Sequence, residues 1–349
     1  MNTVTLGSTG ITVRQNAFGA LPIQRTPTSE AVRILRRAWE GGMRYFDTAR
    51  AYSDSEEKLG LAFGDGSVPR EELFIATKTT STTPQRFRED LNTSLAMLKC
   101  EYIDVYQFHM AAQVWRPGDG SGMYEAMLEA KEAGKIRHIG ITAHKIGVAE
   151  EAAASGLYET LQFPFSYLAG QRELDLVELC ECHNVGFVCM KGLAGGLITN
   201  SAAAMAFMTE HPWALPIWGI QRMEELEEWL AFMDETPAYT NEIAAFVEQE
   251  RAELMGEFCR GCGYCMPCPV GIQINNCARM SLMLRRAPSA NWLSEHWQEQ
   301  MAKIPNCLHC NRCARHCPYE LDTPTLLQKN YEDYQRVLAG KASVEERLR

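Results

Sequence analysis

From about residue 15 to residue 236 the sequence alternates between short runs of β-branched and aromatic residues and longer stretches in which apolar residues recur with helical period. The short runs are AFGALPI, RYFDTA, LFIATKT, YIDVYQFH, HIGITAH, TLQFPFS, GFVCMK and LPIWGI, eight in all. The stretches between them carry helix punctuation. SEAVRILRRAWEGG ends in glycines, and TPQRFREDLNTSLAML opens with Thr83 as cap and Pro84 as a first-turn residue. Strand then helix, eight times in roughly 220 residues, predicts a closed parallel (β/α)8 barrel of the TIM type rather than an open doubly wound sheet. Ahead of it, VTLGSTGITV has a glycine-centred turn between two alternating runs, a hairpin expected to cover the barrel floor.

Beyond the barrel, DETPAYTNEIAAFVEQERAELMG reads as a proline-marked linker and a polar helix, and a cysteine-rich region with further helical stretches follows. The expected organisation is a barrel with its hairpin over residues 1–236, a linker helix over 237–256 and a small, mostly helical domain with a tail over 257–349. With 46% hydrophobic residues the 349-residue chain can bury a full core. The start, MNTVTLGSTG, lacks the features of a signal peptide, and no apolar stretch approaches the roughly 20 residues of a membrane helix, so the expected location is the cytoplasm. A net charge of -10 argues against nucleic acid as a partner, because phosphate neutralisation needs a basic face.

In such a barrel, chemistry sits at the C-terminal ends of the strands. Asp47 ends the second run and Tyr52 lies in the loop after it, Lys78 ends the third, and His109 ends the fourth. Each alone has an ordinary structural explanation: a loop cap, a snorkelling lysine, a core histidine. Together they suggest a tuned proton donor. A tyrosine is a weak acid near neutral pH, but a Lys78 ammonium held by Asp47 would favour the phenolate and lower its pKa, letting Tyr52 exchange a proton with an alkoxide.

The segments GMRYFDTARAYSDSEEKLG, LFIATKT and YIDVYQFH closely resemble the aldo-keto reductases, along roughly residues 3 to 236. The resemblance implies a barrel that binds a nicotinamide nucleotide and reduces a small-molecule carbonyl or oxidises an alcohol. It assigns Tyr52 as general acid, Lys78 and Asp47 as its tuning pair and His109 as the residue that orients the carbonyl. It also places Thr142 and Gln162 at the carboxamide, although Ala143 stands where an asparagine is usual. Met190 and Lys191 stand where an aromatic often stacks on the nicotinamide, and the glycines of GLAGG, Gly192 and Gly195 among them, offer a backbone cradle for pyrophosphate. Near the last strand, Gln221 and Arg222 remain as nucleotide contacts. Glu225 falls where NADP-binding members carry an arginine, which favours NAD over NADP.

Two cysteine runs close the sequence: Cys259, Cys262, Cys265 and Cys268, then Cys307, Cys310, Cys313 and Cys317 followed by Pro318. The second has the spacing of bacterial ferredoxins, in which three thiolates hold one cubane and the fourth reaches its neighbour. The first is one residue short before its last cysteine. On this pattern two [4Fe-4S] clusters are expected in a ferredoxin-like domain, Cys259, Cys262 and Cys265 with Cys317 on one, and Cys307, Cys310 and Cys313 with Cys268 on the other. The alternative is a pair of zinc sites, which use paired rather than triplet C-x-x-C. Cys100, Cys180, Cys182, Cys189 and Cys277 are expected to be buried thiols, and His309 and His316 surface residues. Arg279, Arg285, Arg286, Arg312 and Arg315 make the region locally basic, as compensation for cluster charge or as a dock for a ferredoxin or other acidic electron carrier.

Hydride moves two electrons together, whereas a cluster passes them singly, and no convincing flavin motif bridges the two. Three readings stay open: an NAD(P)-linked oxidoreductase with structural or sensing clusters; a cluster-fed reductase in which Tyr52 supplies protons without nicotinamide; and a redox-sensing or electron-transfer module whose barrel does not turn over substrate.

Overall fold

Strands β1 (Thr3–Thr5) and β2 (Thr12–Arg14) pair antiparallel, forming the expected hairpin. Its inward residues Val4, Leu6, Ile11 and Val13 pack against Tyr45, Ala76, Val105 and Leu215, which lie towards the N-terminal ends of barrel strands. The hairpin therefore closes the floor. Gly7 makes this possible: with φ at +51° it brings its backbone onto residues 184–186, where a Cβ would come within 2.4 Å of the Gly186 nitrogen.

All eight apolar runs are strands of one closed parallel barrel. They are β3 (Ala17–Gly19), β4 (Tyr45–Asp47), β5 (Phe74–Thr79), β6 (Ile103–Phe108), β7 (Ile136–Thr142), β8 (Thr160–Pro164), β9 (Gly186–Met190) and β10 (Ala214–Gly219), each paired with its successor and β10 with β3. Around them run α1 (Thr28–Glu40), α2 (Ser55–Phe63), α3 (Pro84–Leu98), α4 (Met123–Glu132), α5 (Ile146–Ala154), α6 (Gln171–Cys182), α7 (Ser201–Thr209) and α8 (Met223–Asp234). In α1, Ala31, Ile34, Leu35 and Ala38 repeat at three and four residues and are fully buried. Burying Ile34 and Leu35 contributes roughly 1.5–3 kcal/mol each. α3 starts as read, with Thr83 at the cap and Pro84 first, and stops where Lys99 turns left-handed at φ +52°.

The computed structural model describes residues 1–254, 258–286 and 289–344. The chain divides into two units, Met1–Gly192 with Met205–Tyr239, and Leu193–Ala204 with Thr240–Arg349. The segment Leu193–Ala204, which the sequence reading kept within the barrel, has its contacts in the second unit. That unit also contains α9 (Asn241–Leu254), α10 (Ile274–Cys277), α11 (Met280–Arg286), α12 (Ser289–Trp292), α13 (Glu295–Met301), α14 (Arg312–Arg315) and α15 (Thr323–Leu338). Its core gathers Ile272, Ile274, Met280, Met301, Leu327 and Tyr334. Arg285 is fixed to Asp333 of α15 by two hydrogen bonds, of 2.6 and 2.8 Å. The side chain of Arg286 lies outside the described residues, as do residues 345–349 of the tail. Cys180, Cys189 and Cys277 are buried as expected, but Cys100 is only partly covered and Cys182 is exposed. Cys182 ends α6, where burial has already given way to solvent.

Candidate active site and cysteine centre

Parallel pairing puts the C-terminal ends of neighbouring strands side by side, so residues far apart in sequence converge there. Lys78 is opposite Gln107 across β5 and β6, and Thr142 is opposite Gln162 across β7 and β8. Lys78 is 1% exposed, and its ammonium donates to Asp47 Oδ1 at 2.6 Å and to the Thr48 carbonyl at 2.5 Å. Two side-chain amides complete the shell of Asp47: Gln107 Nε2 donates to Oδ2 and Gln162 Nε2 to Oδ1, both at 3.4 Å. Burial pushes the Asp47 carboxyl up, and the Lys78 charge and these hydrogen bonds offset this only in part. Removing one partner of such a pair would strand the other, at a cost of about 3–5 kcal/mol.

Tyr52 sits over this pair. Its ring centroid is 5.1 Å from the Lys78 ammonium and 5.7 Å from the His109 ring, which meets it edge-on. The sequence led to a lowered phenol pKa, and the structure reverses the sign. Exclusion of water from the phenol raises the pKa above 10, and the Lys78 charge only partly offsets this. Burial, aided by the Lys78 charge, drives His109 down to about 3, so its imidazole is neutral. Its Nδ1 has no hydrogen-bond partner among the described residues.

The four residues Asp47, Tyr52, Lys78 and His109 are thus gathered in one cluster at the strand ends. The proposed nucleotide residues other than Gly195 lie on or just after the strands β7 to β10. Thr142 Oγ1 accepts from the backbone N–H of Met110 at 2.8 Å, fixing the turn after β6. Gln162 keeps a buried Oε1 without a partner among the described residues. Met190 ends β9, and Lys191 follows in left-handed conformation at φ +60°. A Cβ at Gly192 would meet the Trp218 ring at 2.5 Å, so close packing needs a glycine there. Gly195 belongs to the second unit, where its carbonyl accepts from Arg279 Nη1 at 3.2 Å. Gln221 and Arg222 open α8: their backbone N–H groups donate to Glu225 Oε2 at 2.9 and 3.2 Å, while Arg222 Nη2 pairs with Glu225 Oε1 at 2.7 Å.

Two residues of this site escaped the sequence reading. Gln107 could have been found, because it lies two residues before His109 on β6 and so shares its face. His144, two residues beyond Thr142, is buried and held neutral by desolvation and by the charge of Lys191.

In the second unit, Cys265, Cys268, Cys307, Cys310 and Cys313 line one cavity. Cys259 lies within electrostatic reach of Cys262 and Cys317, and Cys265 within reach of Cys259 and Cys262. Cys265 and Cys268 thus share a cavity with three cysteines of the second run, and Cys317 lies within electrostatic reach of Cys259. His309 and His316 are exposed.

A parallel eight-stranded barrel with an Asp, Tyr, Lys and His at its C-terminal strand ends defines a class of barrel oxidoreductase folds. The family model described as the aldo/keto reductase family matches residues 15–238, more than half of the chain, and the chain belongs to that family. A second model, described as a 4Fe-4S dicluster domain, matches residues 258–322. Methylglyoxal reductase DkgA of Escherichia coli O157:H7 is 35% identical over 133 residues, 36% of this chain and 45% of that protein. The chain spans about half the length of such curated relatives. Dihydrodiol dehydrogenase 3 of Bos taurus is 27% identical over 249 residues, 63% of this chain and 68% of that protein. Among solved structures, an aldo-keto reductase from Bacillus halodurans in its holo form superimposes with a TM-score of 0.62 at 21% identity, covering 72% of this chain and 96% of that one.

Proposed function

We propose that the protein is an NAD-linked oxidoreductase that interconverts a small carbonyl compound and its alcohol in the barrel, and that its C-terminal domain carries two [4Fe-4S] clusters. The observation that carries the barrel chemistry is the Asp47, Lys78, Tyr52 and His109 constellation. The names of two relatives, a methylglyoxal reductase and a dihydrodiol dehydrogenase, support the substrate class.

The residues at the strand ends fit a nicotinamide. The unpartnered, buried Gln162 Oε1 is an acceptor of the kind a carboxamide NH₂ needs, and Thr142 retains its hydroxyl hydrogen. When bound, the nicotinamide supplies or accepts the hydride. In the reductive direction Tyr52 gives its proton to the developing alkoxide. The Lys78 ammonium compensates the phenolate left behind, Asp47 holds Lys78 in place, and the neutral His109 N–H positions the substrate oxygen. NAD is preferred to NADP because the start of α8 is already filled by the Glu225 carboxylate, which also neutralises Arg222.

The cysteines fit clusters better than zinc. Each run sets three cysteines at C-x-x-C-x-x-C spacing, where a four-thiolate zinc site uses two C-x-x-C pairs, and residues 258–322 match the 4Fe-4S dicluster model. Electron exchange would run through a ferredoxin or another acidic carrier: Cys310 is exposed, Leu308 is 65% exposed, and Arg312 and Arg315 flank them. The cytoplasm suits the thirteen unpaired cysteines, and among the described residues no helix is long and apolar enough to cross a membrane.

Tyr52→Phe tests the reading. Turnover of a carbonyl substrate with NADH should fall by roughly 10²–10⁴, with iron content and the unfolding midpoint unchanged. Undiminished turnover would overturn the proton-donor role.

A further inference from the structure

Two buried donors near the first cysteine run lack a hydrogen-bond partner among the described residues: Nε of Arg279 and the hydroxyl of Tyr319. A buried donor left unsatisfied costs about 1–3 kcal/mol, so their placement calls for an acceptor. The Arg279 guanidinium lies against Gly261, where a Cβ would come within 2.9 Å of Cζ. It is anchored at its other end by the Gly195 carbonyl, 3.2 Å from Nη1. The backbone N–H of Gly261 donates to Cys259 Sγ at 3.4 Å, and Arg279 and Cys259 interact electrostatically. Tyr319 follows Cys317 by two residues and is capped by Arg260, whose Cζ is 4.4 Å from the ring centroid. Its hydroxyl responds to the charges of Cys262 and Cys317.

The other cysteine group has different surroundings. The cavity of Cys268, Cys307, Cys310 and Cys313, which Cys265 also borders, is walled by Pro267, Pro269, Val270, Ile274 and Leu327, and its charged lining residue, Arg312, is exposed, so that water screens its field.

We propose that Arg279 and Tyr319 donate N–H···S and O–H···S hydrogen bonds to the cluster of Cys259, Cys262, Cys265 and Cys317, making it the higher-potential cluster of the two and the one on which an entering electron settles. This rests on the cluster reading above. Reduction by a one-electron donor takes that cluster from [4Fe-4S]²⁺ to [4Fe-4S]¹⁺ with no bond broken and no proton required. The added negative charge is stabilised by a neighbouring cation and by hydrogen bonds to sulfur, which raises the potential.

The test is an anaerobic, EPR-monitored potentiometric titration of the full-length holoprotein. The wild type should reduce in two separate steps. Tyr319→Phe, which keeps the ring beneath Arg260, and Arg279→Gln should each move the upper step to more negative potential and leave the lower step in place. Arg279→Lys, which keeps charge but loses Nε, should move it less than Arg279→Gln. If both steps stay put in Tyr319→Phe and Arg279→Gln, or both move together, the proposal is wrong. If purified wild type shows no [4Fe-4S] signal and no matching iron content, it is the cluster reading that fails, a result distinct from clusters whose potentials ignore these two residues.

Discussion

At Tyr52 the protein excludes water from the phenol while Lys78 draws on its proton, and the net result is a group that stays protonated above pH 10. The sequence displayed Lys78 but not the desolvation, because burial depends on how much protein the fold packs around the hydroxyl. That is why the sign could not be read in advance. For the proposed reduction the outcome is serviceable, since a proton donor must hold its proton before turnover. His109, at about 3, is neutral over the same range. Neither group therefore changes charge between about pH 5 and pH 9, and kcat for carbonyl reduction at saturating NADH should be flat across that window, without the break near 6.5 that a free histidine would give. Steady-state rates across the window check this, and a limb near 6.5 would show His109 titrating. The stability consequence has the opposite lean: the unfolded chain takes up a proton at His109 below about 6.5 and the folded protein only near 3, so stability falls as pH drops between those values.

The strands were legible because each is a short apolar run ended by a polar residue or a turn. Helix contacts were less so, and Gly60 illustrates why. It lies inside α2, where intrinsic propensity favours alanine over glycine by about 1 kcal/mol. Yet a Cβ there would stand 2.0 Å from the Met97 carbonyl oxygen of α3, backbone against backbone with no flexible side chain to yield. Packing outweighs propensity, a balance that only the structure reveals. Gly60→Ala should destabilise the protein by about 1–3 kcal/mol in urea unfolding, against the gain that propensity alone gives. α2 also follows directly on Tyr52–Asp54, and its Lys58 donates to the Ile23 carbonyl at 3.1 Å while its Glu56 accepts from Thr77 at 2.6 Å, beside Lys78. A displaced α2 would carry Tyr52 with it, so kcat should fall together with stability. An unfolding midpoint equal to that of the wild type would show that α2 and α3 can separate without penalty.

The two units share one chain in an unexpected way: Leu193–Ala204, the stretch that leaves β9 on its way to β10, has its contacts in the cysteine-bearing unit. From the sequence, GLAGG looked like a phosphate cradle, because glycines beside a strand end carry that meaning and nothing in their spacing shows that Gly195 accepts from Arg279. The consequence concerns metal removal. Residues 259–270 form no helix or strand, so the proposed ligands they carry would depend on metal for their arrangement, and metal-binding energy would become folding energy for that unit. The barrel has its own core and closed sheet, and should keep its unfolding transition when iron is removed. Lys191 and Gly192 run straight into Leu193, however, so loosening the second unit frees the far end of the segment that begins at the proposed nucleotide residues. Anaerobic chelation of iron should therefore weaken NADH binding by roughly tenfold, as expected when a pre-organised loop must be reordered at a cost of about 1.4 kcal/mol, while the barrel's circular dichroism and unfolding midpoint stay as they were. Fluorescence titration with NADH before and after chelation measures it. Equal affinities in the iron-free and iron-loaded protein would show that Leu193–Ala204 plays no part in holding the nucleotide.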